Sequence, residues 1–281
     1  MSKRKARKSI GVIVPSIIIQ FRDNSLDVLT KTFADRGYRT TVSLSGWELE
    51  REREYFKSVA AHSDCLVVVS CAEKYSEIED VIPSNIPVLF LFHQPKGCPH
   101  TCIMENDYSA IYQGIISMSN RNARNIVFVT HNFDKTFSKN CFKAYIDAMN
   151  VVNPDSNCND LVYIIDDLDK FNLRKWIDEI LGKKCEAIFC TSPSLTAHII
   201  DAMMFYAKDF KTNPLPILGY TFFDSPTFSQ MFMDTIISPY DEIISLTVQQ
   251  ALYLIDHPNA PKRESLLKGS FRAHQYDLNW F

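Results

Sequence analysis

The stretch Ile10-Gly-Val-Ile-Val-Pro15, followed by a helical segment ending in Ala34-Asp-Arg-Gly-Tyr38 and then by Glu50-Arg-Glu-Arg-Glu-Tyr55, decides the fold of this chain. A strand-length run with no polar break is expected where both faces of a strand are covered. The order strand, helix, strand, helix is what parallel pairing demands, because parallel neighbours need a crossover connection. The pattern continues outward. Apolar runs recur at residues 65–69, 88–92, 126–129, 161–165, 187–190 and 217–220. Helix-period segments lie at 26–36, 48–61, 109–120, 139–149, 173–181, 195–209 and 242–256. This alternation predicts an α/β fold with parallel sheets flanked by helices. The strands form one set before about Met104 and another after Asn125, so two Rossmann-like lobes facing a cleft are expected, with ligand at the carboxyl ends of the strands. Locally, Ser45-Gly46-Trp47-Glu48 reads as a capping box at the start of the second helix.

Composition narrows the function classes. A chain of 281 residues that is 46% hydrophobic and 22% charged buries a core large enough for two lobes. Its apolar runs stop well short of the ~18 residues of a membrane helix. The basic segment Met1 to Ser9 precedes only a short apolar run that ends in Phe21-Arg-Asp-Asn24 without a small-residue cleavage site, so a cytoplasmic location is expected. The eight cysteines fit reduced thiols better than a disulfide framework. A net charge of -3 argues against a surface that grips nucleic acid throughout; the basic charge is concentrated in residues 3–8, a solvated linker or hinge remnant, with direct DNA contact as the alternative. No GxGxxG or GxxxxGK[ST] motif offers a phosphate cradle. Cys98-Pro-His-Thr-Cys102 with His93 has only marginal spacing for zinc, and a plain loop is the preferred reading; no metal and no cofactor are expected. Cys141 with His131 or His93 lacks a nucleophile signature, and Asp166-Asp167 and Asp23 with Asp27 read as strand-end and helix-face charges, so no enzyme activity is expected.

Further segments carry a resemblance. Asn85-Ile-Pro-Val88 stands before a strand, Glu105-Asn106 follows the first lobe, and Arg124-Asn-Ile-Val-Phe128 opens the second. Phe142-Lys-Ala-Tyr-Ile-Asp-Ala-Met149, Glu186-Ala-Ile-Phe189, Leu218-Gly-Tyr220 and Asp234-Thr-Ile236 with Pro239 follow in order. Together with the opening stretch, these resemble the sensing domain of the lactose-repressor (LacI/GalR) family from Ile10 to about His274. The resemblance implies a periplasmic-binding-protein-like type I fold with three crossovers between lobes. It implies a first lobe of residues 10–105 plus 239–262, a second of 106–238 plus 263–281, and a basic linker at 1–9. It further implies a homodimer, a small-molecule effector bound in the cleft, and DNA contact only through a helix-turn-helix headpiece that is not in this chain.

The implied pocket departs from the family. Ile19-Gln20-Phe21-Arg22 stands where the family has Asn-Pro-Phe-Phe, Cys141 where an arginine grips the effector, and Ser192-Pro193 where there is Asn-Asp. Thr221 replaces an aspartate, and Phe92-His93 replaces Asp-Arg. These swaps remove charge-assisted holds on sugar hydroxyls, so a simple neutral sugar is not the expected effector. The candidate effector-binding residues are Ile19, Phe21, Arg22, Phe92, His93, His131, Lys139, Cys141, Ser192, Tyr220, Thr221, Phe222 and Ser238. This mixture suits a partly apolar or aromatic ligand with one anionic group for Arg22 or Lys139. The function expected is a ligand-sensing and dimerisation domain of a transcription regulator. The competing readings are a transporter's solute-binding protein and a regulator domain whose cleft no longer binds. The aromatic and methionine-rich segment Tyr220 to Met233 is read as part core and part dimer contact, and Leu278-Asn-Trp-Phe281 as a second aromatic candidate.

Overall fold

In the computed structural model, which describes residues 8–16, 25–131, 136–155, 157–165, 172–206, 215–220 and 233–274, the opening run forms β1 (Ser9–Val14), buried along its whole length. After it come α1 (Ser25–Asp35), β2 (Arg39–Leu44) and α2 (Leu49–Ala60), then β3 (Cys65–Val68), β4 (Val88–Phe92) and β5 (Thr101–Asn106). With β11 (Glu264–Lys268) they form a six-stranded sheet in the order β2-β1-β3-β4-β5-β11. The pairings among β1 to β5 are parallel. Side-chain alternation explains the absence of polar residues in β1 after Ser9. Ile10, Val12 and Val14 join the cluster shared with Leu29 and Phe33 of α1 and with Ile243 and Val248 of a helix at Tyr240–Asp256 (α7), whereas Ile13 joins Phe56 of α2, Leu66 and Phe90 on the opposite face.

The second unit repeats the plan. β6 (Ile126–Thr130), β7 (Val162–Ile164), β8 (Ala187–Cys190), β9 (Ile217–Tyr220), β10 (Met233–Ile237) and β12 (Ser270–Arg272) form a six-stranded sheet in the order β7-β6-β8-β9-β10-β12. Only β12 runs antiparallel, against β10. The described helices of this unit are α3 (Tyr108–Asn120), α4 (Thr136–Val152), α5 (Leu173–Gly182) and α6 (Pro193–Tyr206). Its core centres on Phe128, whose ring lies 5.4 Å from Phe142, 5.1 Å from Tyr145 and 5.4 Å from Phe189. A carboxylate is also enclosed. Asp234 of β10 is 1% exposed, takes both guanidinium nitrogens of Arg121 at the end of α3, and accepts the backbone N–H of His274 at 2.7 Å. Removal of either charge from such a pair strands the other.

The two compact units comprise Met1–Glu105 with Pro239–Leu267 and Asn106–Ser238 with Lys268–Phe281, so the chain passes between them three times. Residues 263–267 therefore group with the first unit, whereas the sequence reading placed 263–281 in the second. The cause is backbone pairing at the head of β5, where Cys102 N–H donates to Arg263 O at 2.9 Å and Arg263 N–H to Thr101 Oγ1 at 3.3 Å. The expected capping box is also corrected. Glu48 is the N-cap of α2 and makes no side-chain cap bond, while Ser45 lies by the thiol of Cys71, 3.3 Å away. Gly46 and Trp47, at φ 65° and 66°, turn the chain so that Ser45 faces inward. Among the described residues, no helix is long and apolar enough to cross a membrane.

Gly11 marks the closest approach of α2 to the first sheet. A β-carbon there would overlap Val59 of α2 and lie 2.6 Å from Leu66 and 2.8 Å from Ser63 Oγ. Gly11→Ala is expected to destabilise the first unit by about 1–3 kcal/mol, as overpacking of a tight interior does, and to lower its urea midpoint. An unchanged midpoint would show that α2 moves aside without cost.

Candidate functional site

Each unit has the internal strand order 2-1-3-4-5, and strand order reverses beside its first strand. Helices leave in opposite directions at such a switch point and open a crevice beyond the carboxyl ends of the strands. In the first unit the reversal lies between β1 and β3, and in the second between β6 and β8.

At the first switch point, the turn after β3 carries Ser70, Cys71 and Ala72, and β4 ends in Phe92 with His93 directly after it. Beneath them lies Glu52 of α2, fully buried, which accepts Ser70 Oγ–H at 2.5 Å and Cys71 N–H at 2.5 Å. Burial raises the Glu52 carboxyl above the ordinary glutamate value of 4.5, against the opposing effect of these two bonds and of nearby His93. His93 Nε2–H donates to Ala72 O at 2.7 Å. Phe92 has φ 59°, and His93 N–H closes a three-residue turn on Leu91 O at 2.6 Å. This is a strained conformation for a bulky residue, of the kind that concentrates at ligand sites. The Phe92 ring packs 5.8 Å from that of Tyr240.

At the second switch point a chain of hydrogen bonds runs across the sheet end. His131, directly after β6, donates Nδ1–H to Ile165 O at 2.8 Å; its Nε2 is then the acceptor for Ser194 Oγ–H at 3.2 Å. Ser194 Oγ lies 3.2 Å from Ser192 Oγ, which accepts Leu195 N–H at 3.3 Å and so caps the first turn of α6. Farther along, Tyr220 at the end of β9 donates its hydroxyl to Asp107 at 2.8 Å, and Cys141 of α4 lies 3.9 Å from the same hydroxyl. Asp107 is 6% exposed and abuts Gly269 so closely that a β-carbon on Gly269 would collide with the carboxylate.

Of the residues anticipated from sequence, Phe92 and His93 thus fall together in the first unit. In the second, His131 meets Ser192 through Ser194, and Cys141 meets Tyr220. Ser238 is buried beyond β10, and Lys139 is exposed on the first turns of α4. Ile19, Phe21, Arg22, Thr221 and Phe222 lie outside the described residues, as do most of the segment between Tyr220 and Met233, the basic run at 3–7, and residues 278–281. Sequence reasoning missed Glu52, Ser70, Asp107 and Ser194. Glu52 had a signal, because it shares the helical phase of Phe56, Val59 and Ala60, the buried stripe of α2. Among the described residues, no group of three or more His, Cys, Asp or Glu side chains is placed to hold a metal ion.

Two serial α/β units of this strand order, entered and left three times by one chain, define the periplasmic-binding-protein-like class of fold. Solved structures bear this out. A putative transcription regulator from Staphylococcus saprophyticus superposes with a TM-score of 0.80 at 14% identity, over 96% of this chain and 98% of that one. The Cra transcriptional dual regulator of Pseudomonas putida, in complex with fructose 1-phosphate, gives 0.79 at 16% identity over 96% and 99% of the two chains. A periplasmic binding protein/LacI transcriptional regulator from Alkaliphilus metalliredigens, complexed with D-xylulofuranose, gives 0.75 at 15% identity over 95% and 98%. No protein-family model and no curated protein matches the chain.

The buried acid has a measurable signature. Because folding raises the Glu52 value above that of the unfolded chain, the native state binds more protons, and this contribution to stability is complete below 4.5 and lost as pH rises through the folded-state value. Glu52→Gln, which keeps an acceptor for the Cys71 N–H, should remove that part of the decline. Melting temperatures of the two proteins from pH 4 upward provide the comparison, and parallel curves would contradict the assignment.

Proposed function

We propose that this chain is the effector-sensing and dimerisation domain of a lactose-repressor-type transcription regulator. The observation that carries this reading is the placement of hydrogen-bonding side chains at both switch points, His93 with Ser70 and Glu52 in one unit and His131 with Ser192 and Ser194 in the other. In this reading a small molecule binds at the carboxyl ends of the strands, and by engaging these side chains favours the ligand-competent state. Pairing of two chains would pass that bias to a DNA-reading headpiece outside this sequence, as a coupling free energy between two sites. The likeness to solved transcription regulators supports the regulatory role. No catalytic step is assigned. Neither histidine faces a carboxylate or a cysteine in the bonds described here, which supports a binding role over nucleophilic chemistry.

The effector class follows from what the walls offer. Phe92 and Tyr220 supply apolar surface and the histidines and serines supply directional bonds, and the sequence reading assigns an anionic group of the ligand to Lys139 or Arg22. Neutral polyols find few charge-assisted partners among these groups. The neighbours from Pseudomonas putida and Alkaliphilus metalliredigens hold a sugar phosphate and a sugar respectively, and the phosphorylated class is the one compatible with a cationic wall. A solute-binding role on the same fold is the second reading, favoured by the double description of the Alkaliphilus protein.

A thermal-shift panel of neutral sugars, phosphorylated metabolites, nucleobases and aromatic acids tests both the site and the ligand class, since a ligand at about 100 times its Kd stabilises the native state by about 2.7 kcal/mol. Stabilisation is expected from an anionic, partly apolar compound and none from neutral hexoses. His131→Ala should weaken that compound about tenfold, the value of one or two hydrogen bonds, whereas a change at exposed Lys31 should leave it unaltered. Micromolar stabilisation by ribose or galactose would contradict the ligand class. Binding indifferent to both His131 and His93 would contradict the site.

A further inference from the structure

Away from the switch points, the two sheets differ in how their outer strands are guarded. β2 and β11 form the edges of the first sheet, and β7 and β12 those of the second. Natural sheets blunt such edges, because unpaired backbone donors and acceptors invite a further strand. β7 and β12 span only three residues each, and β11 carries Glu264 at one end and Lys268 at the other. β2 has six residues, Arg39-Thr-Thr-Val-Ser-Leu44, and no charge after the first.

The register of β2 identifies its open groups. Arg39 N–H donates to Lys8 O at 2.8 Å and Ser45 N–H to Val14 O at 2.9 Å, so residues 39, 41, 43 and 45 are the ones that bond to β1. The N–H and C=O groups of Thr40, Val42 and Leu44 therefore point away from the sheet, and no described strand pairs with them. Side chains at the end of this edge are apolar and uncovered: Leu44 and, just beyond the strand, Trp47 are each 42% exposed.

We propose that β2 pairs antiparallel with β2 of a second copy of this chain, about a two-fold axis at Val42, so that the two first sheets join into one. This rests on the dimerisation part of the function proposed above and supplies its interface. A second copy fits better than an unrelated segment because residues 39–45 are complementary to their own reverse. With Val42 opposite Val42, Thr40 faces Leu44, and the three open residues of each copy exchange about six backbone hydrogen bonds in all. Thr41 faces Ser43 at the closer, non-hydrogen-bonded position, where threonine and serine hydroxyls bond across strands. Arg39 faces uncharged Ser45, so no like charges meet. Such a contact uses the same edge in both copies and closes at two chains.

Sedimentation of the full chain over a range of concentrations tests this, with circular dichroism to confirm that each variant is folded. The wild type is expected to be a dimer. Val42→Pro removes one outward N–H at the centre of the edge and none of the bonds to β1, and should raise the dimer dissociation constant at least about tenfold. Leu44→Lys places a charge on the edge and should act in the same direction; it carries the test if Val42→Pro does not fold. The register has its own readout. Thr41→Cys combined with Ser43→Cys should yield a reducible cross-linked dimer on mild oxidation, since facing Cα atoms at that position lie about 4.5 Å apart, within disulfide range. The native cysteines, all buried, should yield none in the wild type. A wild-type dimer that neither edge substitution weakens would overturn the edge pairing and leave dimerisation to another surface, as would a double-cysteine dimer that does not cross-link. A wild-type monomer would overturn both the pairing and the dimerisation reading, while effector binding is judged separately by the thermal-shift panel.

Discussion

Parallel strands cannot be joined by tight turns, and from that constraint the rest of the molecule follows. Each strand must be succeeded by a segment that crosses back over the sheet, so all carboxyl ends come to lie on one edge. Apolar residues on both faces of β1, β3, β4, β6 and β8 are consumed by the helices that make those crossings. Polar side chains are left to the turns at the edge. There the reversal of strand order keeps the helices apart, and Ser70, His93, His131, Ser192 and Ser194 occupy the space that results.

The edges are made rigid from below. Glu52 gives both oxygens to the turn after β3, and Ser70 Oγ in turn accepts Ala72 N–H at 3.1 Å, so a buried acid shapes the loop that carries the acceptor of His93. Asp107 serves the second unit differently, by holding the Tyr220 hydroxyl at the end of β9. In both places a carboxylate is removed from water and accepts bonds from neutral donors, an arrangement that costs stability unless the donors are held in place. Sites on such supports keep their geometry when empty, which reduces the ordering cost of taking a ligand.

Much of the architecture was legible because burial on both faces leaves an unbroken apolar run. Val88–Phe92 and Ala187–Cys190 are read at their observed limits, and α5 differs from its expected span by one residue. The elements that escaped detection are those where this condition fails. β11 and β12 sit at sheet edges with alternating exposure, and Asp234 and Thr235 interrupt the hydropathy of β10 although both are buried. The candidates His93, His131, Ser192 and Tyr220 come from the family resemblance, and they lie at or just after strand ends. Glu52 was legible as a buried position on its helix but not in its partners, and Ser194 not at all, because their bonds reach residues 18 to 63 positions distant, which no local pattern encodes. Ser45 misled for a related reason: a serine three residues before a glutamate has the spacing of a cap, but two successive left-handed residues redirect it to Cys71.

The threefold passage of the chain between units bears on how the protein is made. Neither unit is contiguous: the first awaits α7 and β11, and the second awaits β12 and the His274 amide that completes the shell of Asp234. During synthesis, a nascent chain that has emerged through Ser238 holds two unfinished sheets, each with an edge still open. Both sheets are therefore completed only once residues 239–274 have been made, so neither unit can finish folding ahead of the other.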